Sequence, residues 1–118
     1  MKSRILVCGG RTYFDRFNFS AAMLQLRPWF APKFCIIEGG APGADTLARD
    51  WALENTVPLL EFPANWRNMG RSAGTIRNTW MLDFGLPDLV VAFPGAAGTA
   101  NMVQQARARQ IDVMEPFR

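Results

Sequence analysis

Three times in this chain a short apolar run stops at a glycine cluster, and that pattern limits the fold more than any other feature. Ile5-Leu6-Val7-Cys8 runs into Gly9-Gly10-Arg11. Phe34-Cys35-Ile36-Ile37 runs into Glu38-Gly39-Gly40-Ala41-Pro42-Gly43-Ala44-Asp45. Leu89-Val90-Val91-Ala92-Phe93 runs into Pro94-Gly95-Ala96-Ala97-Gly98-Thr99. Two more runs, 58–62 and 111–114, lack the glycines. Continuous apolar runs of this length, rather than alternating ones, suit strands buried on both faces of a parallel sheet.

Helix-length segments separate the runs. The first covers 18–30, with Pro28 and Pro32 limiting its end. The second starts near Asp45, a good N-cap residue, and sets Leu47, Ala48, Trp51 and Ala52 on one face. The third covers 72–84, with Ile76, Trp80 and Phe84 at four-residue steps. The fourth covers 99–109, with Met102, Val103 and Ala106 inward and Gln110 closing it. Strand–helix alternation implies a parallel sheet with helices on both faces, joined by right-handed crossovers. The expected fold is α/β, a Rossmann-like three-layer sandwich with a parallel sheet of about five strands, as a single domain over 1–118.

Composition narrows the chemistry. The 118 residues are 49% hydrophobic and 19% charged, enough to bury a core. There is no histidine, which removes Ser-His and Cys-His nucleophile pairs, a histidine base and histidine zinc ligands. Of the 13 basic residues all but Lys2 and Lys33 are arginine, the side chain whose fork matches phosphate and carboxylate oxygens. The arginines are scattered and the net charge is only +3, which argues against a nucleic-acid partner. Cys8 and Cys35 sit inside apolar runs and read as buried thiols of a reducing cytoplasm. No metal-ligand spacing occurs, so no metal or cofactor is expected. The first apolar run is too short for a signal or a membrane span. The expected location is cytoplasmic, with no membrane partner.

In a parallel sheet the glycine loops share one edge, where ligands bind at the point of strand-order reversal. Glycine lets a ligand approach bare amides, and helix starts at Asp45 and Thr99 add unpaired N–H groups suited to phosphate. Neither Gly-x-Gly-x-x-Gly nor the Walker pattern is present. The polar stretch 65–78 adds Arg71 and Ser72 at a helix start, with Arg77 and Asn78 about a turn further on. Trp66 is open to two readings, packing or a platform for a base.

These residues resemble the SLOG superfamily (SMF/DprA and Lonely Guy-like proteins), and within it the YspA-like branch of small bacterial and phage proteins. The matching pieces are Val7-Cys8-Gly9-Gly10-Arg11 with Tyr13 and Asp15, the stretch Glu38 to Asp45 with Leu47-Ala48, Gly70-Arg71-Ser72-Ala73-Gly74 with Ile76-Arg77-Asn78 and Met81-Leu82, and Phe93 to Met102. The resemblance implies a Rossmann-like fold binding a nucleotide or nucleotide-derived molecule at the glycine loops, of the ADP-ribose or cyclic-nucleotide signal type. It also implies a role in sensing or sequestering such a signal between phage and bacterium, in the host cell if phage-encoded. On this reading Arg11, Arg71 and Arg77 meet phosphates, Gly9, Gly10, Gly98 and Thr99 cradle them, and Asp45 or Glu38 takes ribose hydroxyls. Ser72, Asn78, Gly39, Gly40, Pro94 and Gly95 complete the expected site.

Lonely Guy enzymes cleave nucleoside monophosphates through Pro-Gly-Gly-x-Gly-Thr-x-x-Glu. Here Pro94, Gly95, Gly98 and Thr99 match, but Ala96 replaces the second glycine and Met102 the glutamate. A thioether cannot act as that carboxylate, so binding is favoured over catalysis. The alternative is a nucleoside 5'-monophosphate N-glycosidase using Glu38 or Asp45, and a further alternative is DprA-like DNA binding. Four tryptophans, nine phenylalanines and six methionines leave apolar material for a homo-oligomer.

Overall fold

The structure is a computed structural model that describes residues 2–30 and 33–117. Five strands, β1 (Lys2–Cys8), β2 (Lys33–Glu38), β3 (Leu59–Glu61), β4 (Leu89–Ala92) and β5 (Asp112–Met114), form one sheet in the order β3-β2-β1-β4-β5. All four pairings are parallel, with Ile5 beside Ile36 and Leu89, Ile37 beside Leu60, and Val90 beside Val113. The helices are α1 (Arg16–Leu26), α2 (Ala44–Glu54), the short α3 (Trp66–Met69), α4 (Ala73–Gly85) and α5 (Ala97–Ala108). The expected Rossmann-like α/β sandwich is therefore present.

Alternate strand residues feed two cores. Ile5, Val7, Ile36, Val91 and Phe93 pack under α1 and α2, against Phe19, Met23, Leu47, Ala48, Trp51 and Ala52. Leu6, Cys8, Ile37, Val90 and Ala92 pack on the other face against Met81 and Leu82 of α4 and Met102, Val103 and Ala106 of α5. β1, β2 and β4 are sandwiched as their apolar runs predict. β3 and β5 are not: they are the sheet edges, and Leu60 and Met114 remain exposed.

Local chemistry moves several helix ends. α1 starts earlier than expected because Asp15 caps it, its Oδ1 accepting from the Asn18 amide at 3.1 Å. It stops at Leu26 and tightens into a 3-10 turn, Arg27–Trp29, since Pro28 cannot donate to a residue four back. Pro32 lies outside the described residues. Asp45 is not the cap of α2. Gly43 is, at φ 81°, and a Cβ there would collide with Gly10 O and the Arg11 carbonyl. Likewise α5 begins at Ala97, so Thr99 is already inside its first turn.

α4 corrects the expected apolar stripe. Trp80 and Phe84 are exposed, and the buried positions are Ala73, Asn78, Met81, Leu82 and Gly85. Four-residue spacing identifies a stripe but not which neighbouring stripe faces the sheet. Gly85 decides it here, because its missing side chain lets the helix approach Ile37.

Candidate functional site

The chain leaves β1 toward β2 and β3, then returns to place β4 on the other side of β1. That reversal opens a crevice between the ends of β1 and β4. Its two walls are tied together: the Gly10 amide donates to the Pro94 carbonyl at 2.8 Å, and the Gly10 carbonyl accepts from the Ala44 and Tyr13 amides. A cleft of about 590 Å³ results, lined by Gly9 to Tyr13, Ala41, Asp45, Arg77, Asn78, Met81, Pro94 to Ala96, Gly98 and Thr99, with Cys8 at its floor.

The charged groups converge. Arg77 on α4 donates from Nη1 to the Gly39 carbonyl at 2.6 Å and from Nε to Asn78 Oδ1 at 3.1 Å. Asn78, almost wholly buried, passes the connection to α5, its Nδ2 donating to the Gly98 carbonyl and to Asn101 Oδ1. The Arg11 guanidinium lies 5.0 Å over the Trp66 ring. Asp45 Oδ2 accepts from the Ala41 amide at 3.2 Å. Burial pushes the Asp45 carboxyl up to about 6, against the opposing pull of the Ala41 amide, Arg77, the Gly39 amide and Arg11. Burial also pulls Arg77 down, and the like charge of Arg11 adds to that. Two guanidinium groups thus face one carboxylate, a balance that an anion entering the cleft would improve.

The first turn of α5 supplies the remaining donors. No side chain caps it, so the amides of its first residues have no partner within the helix and carry the positive end of its dipole. Gly98 and Thr99, in that turn, line the cleft. The turn can sit close because Gly95 has no side chain: a Cβ there would meet Thr99 Oγ1 and lie 2.8 Å from the Gly10 amide nitrogen. Among the described residues no three His, Cys, Asp or Glu side chains gather as a metal site.

Not every expected residue reaches the cleft. Arg71 and Ser72 lie in an exposed 3-10 turn (Gly70–Ser72) ahead of α4 and do not line it. The Gly10 amide, expected to cradle phosphate, is spent on Pro94. Gly39 and Gly40 act from behind, Gly39 by holding Arg77 and Gly40 by donating to Glu38. Glu38 is fully buried and absent from the cleft wall. Trp66 offers one face to Arg11 and packs near Gly74. Tyr13, named in the sequence only as part of the family resemblance and not as a site residue, also lines the cleft; its hydroxyl is buried without a partner and its ring lies 5.5 Å from Phe93. Its place three residues after Gly10 on the same loop was the available signal.

A family model described as the YspA, cpYpsA-related SLOG family matches residues 3–69. The chain belongs to this family. The Gene 61 protein of Mycobacterium phage D29 is 31% identical to this SLOG protein over 119 residues, covering 94% of each chain. The fold of the present chain is similar to the crystal structure of MurG from Acinetobacter baumannii, with a TM-score of 0.59 at 12% identity. That match covers 96% of the SLOG chain and 34% of MurG, about a third of the larger protein, and it is a likeness of fold alone. In this SLOG protein Met102 is fully buried in the α4–α5 core, so the position that carries a glutamate in Lonely Guy enzymes presents no side chain to the cleft.

Proposed function

We propose that the chain is one domain over residues 1–118 that binds a nucleotide-derived, phosphate-bearing small molecule in the β1–β4 cleft. The observation that carries this is the uncapped first turn of α5 opening into a cleft that also holds Arg11 and Arg77. Unpartnered amides and guanidinium forks together are the donors a phosphate needs, and Asp45 across the cleft is an acceptor for sugar hydroxyls. Family membership and the sheet-edge position support the same ligand class. Phosphate contacts fall to Arg11, Arg77, Gly98 and Thr99, with Gly9, Pro94 and Gly95 shaping the wall. The phage relative fits expression inside a bacterial host, where the role proposed is sensing or sequestering a nucleotide signal. Calorimetry of the purified protein against mononucleotides, ADP-ribose and cyclic nucleotides tests the reading. Saturable binding that Arg77→Ala abolishes is the expected result, and no heat across the panel would discard it.

A second reading, N-glycosidase activity on nucleoside monophosphates, rests on Asp45, the carboxylate that lines the cleft, with its carboxyl raised to about 6. Release of ribose 5-phosphate from AMP, lost in Asp45→Asn, would favour it, whereas AMP recovered intact would remove it. DNA binding has less support: among the described residues Arg16 pairs with Asp50 and Glu54, Arg107 with Glu115 and Arg109 with Asp83. Self-association is proposed through the exposed face of α1, where Phe17, Ala21 and Leu24 line up with Trp29 nearby. Among the described residues no helix is long and apolar enough to cross a membrane.

A further inference from the structure

Among the described residues only Glu38, Asp45 and Asn78 are polar or charged and buried. Asn78 lies where α4, α5 and the cleft meet. A primary amide has two N–H groups to donate and one oxygen to accept with, and at Asn78 all three are engaged. Its Nδ2 donates to the Gly98 carbonyl at 3.2 Å and to Asn101 Oδ1 at 3.1 Å, and its Oδ1 accepts from Arg77 Nε at 3.1 Å. Turned over, the amide would set its N–H groups against a guanidinium that can only donate. Its oxygen would then face the Gly98 carbonyl, which can only accept. Asn101 is oriented from its far side, because its Oδ1 also accepts from Gln105 Nε2 at 2.8 Å while Gln105 Oε1 accepts from Thr79 and Arg109. Asn78 therefore has no donor left for a ligand, although it lines the cleft.

The groups it joins are the two kinds of phosphate donor in the cleft. A side chain capping α5 would fix the first turn by taking up its amides. Asn78 fixes that turn through a carbonyl instead, at Gly98, and through Asn101 three residues on, which leaves the amides open. On its other side it fixes Arg77, whose Nη1 is anchored on the Gly39 carbonyl at 2.6 Å beyond the end of β2. Donors held in place before a ligand arrives spare binding the cost of ordering them.

We propose that Asn78 is a positioning residue of the phosphate site: it touches no ligand, and it holds the Arg77 fork and the first turn of α5 in register for the same phosphate-bearing molecule. This rests on the reading of the cleft as a phosphate site and adds the side chain that sets its geometry.

Calorimetry with inorganic pyrophosphate tests the role, well below the melting temperature of each variant so that only folded protein is read. The wild type should bind saturably. Asn78→Ala should bind about tenfold more weakly, within the usual scale for coupled neighbours. Asn101→Ala should weaken binding by about threefold, although Asn101 does not line the cleft, and it decides alone if Asn78→Ala does not fold. Arg77→Lys keeps a charge but lacks the Nε donor that Asn78 accepts. In that background Asn78→Ala should weaken binding by about threefold or less, because one of its two holds is already gone. Wild-type affinity in every asparagine variant that folds would reduce Asn78 to a core residue and overturn the proposal. An undiminished tenfold loss in the Arg77→Lys background would make Asn78 a direct ligand contact and overturn it as well. Both results leave the phosphate site standing. Pyrophosphate that fails to bind the wild type would overturn the phosphate reading itself, and this role with it.

Discussion

Glu38 is wholly buried at the end of β2, and its Oε2 has no hydrogen-bond partner. It is registered beside Glu61 on β3. Burial pushes its carboxyl up to about 8; the Gly40 amide pulls it down, while Glu61 and Asp45 push it further up. At neutral pH Glu38 is therefore mainly a neutral acid, with the Gly40 amide bonded to its Oε1. An acid raised in the folded state contributes stability that is complete below its unfolded value and is lost as pH climbs through the folded value. Glu38→Gln copies the protonated form. Its melting temperature should equal the wild type's near pH 4 and exceed it near pH 9, where the rise of Glu38 to about 8 corresponds to roughly 5 kcal/mol of unfolding free energy. Thermal unfolding across that range checks this, and a constant offset would refute it. Asp45, also raised, lowers stability with the same sign between about 4 and 6 in both proteins. At Arg77, Lys keeps the charge but not the fork that reaches Gly39 and Asn78. Arg77→Lys should therefore weaken ADP-ribose binding by about tenfold or more, read by calorimetry.

Among the elements, α5 is built against its own stability. Its N-cap is Ala96, and no side chain satisfies its first amides. Ala96→Asp would cap the helix and complement its dipole, worth roughly 0.5–2 kcal/mol. The same carboxylate would compete with phosphate for the amides. The expected outcome is a higher melting temperature together with reduced ligand affinity, a combination that a merely structural helix end would not produce. Gly95→Ala tests the loop below it. A Cβ there meets Thr99 Oγ1 and the Gly10 amide nitrogen, which should break the Gly10–Pro94 hydrogen bond and cost about 1–3 kcal/mol in denaturant unfolding.

At the scale of the whole molecule, the order β3-β2-β1-β4-β5 brings segments more than sixty residues apart into one cleft. It also leaves α1 with an outer face carrying Phe17, at 83% exposure, and Leu24, at 67%. Sedimentation should find a species above the 13.2 kDa of one chain, and replacing both residues by Ser should return it to that mass. A wild-type chain that sediments at 13.2 kDa at all concentrations removes this interface. Arg16 is charge-paired across α1–α2 and Arg109 across α4–α5, and the net charge is only +3, so no steep salt-dependent affinity for DNA is expected.

Strand and helix alternation was legible in the sequence because apolar runs and helical spacing are local properties. Leu47, Ala48, Trp51 and Ala52 did face inward, as did Met102, Val103 and Ala106. The glycine loops do gather at one sheet edge, since close loop packing demands glycine at Gly43 and Gly95 whatever the ligand. Sequence alone could not orient α4, because two adjacent stripes were both apolar enough and only the approach of Gly85 to Ile37 chose between them. Nor could it separate Arg77 from Arg71, six residues apart: one points into the cleft and the other into solvent. Local pattern thus determined which elements form and which edge carries the loops. Tertiary contact decided which arginines, carboxylates and amides share the cleft, because their partners, Gly39 for Arg77 and Pro94 for Gly10, lie 38 and 84 residues away.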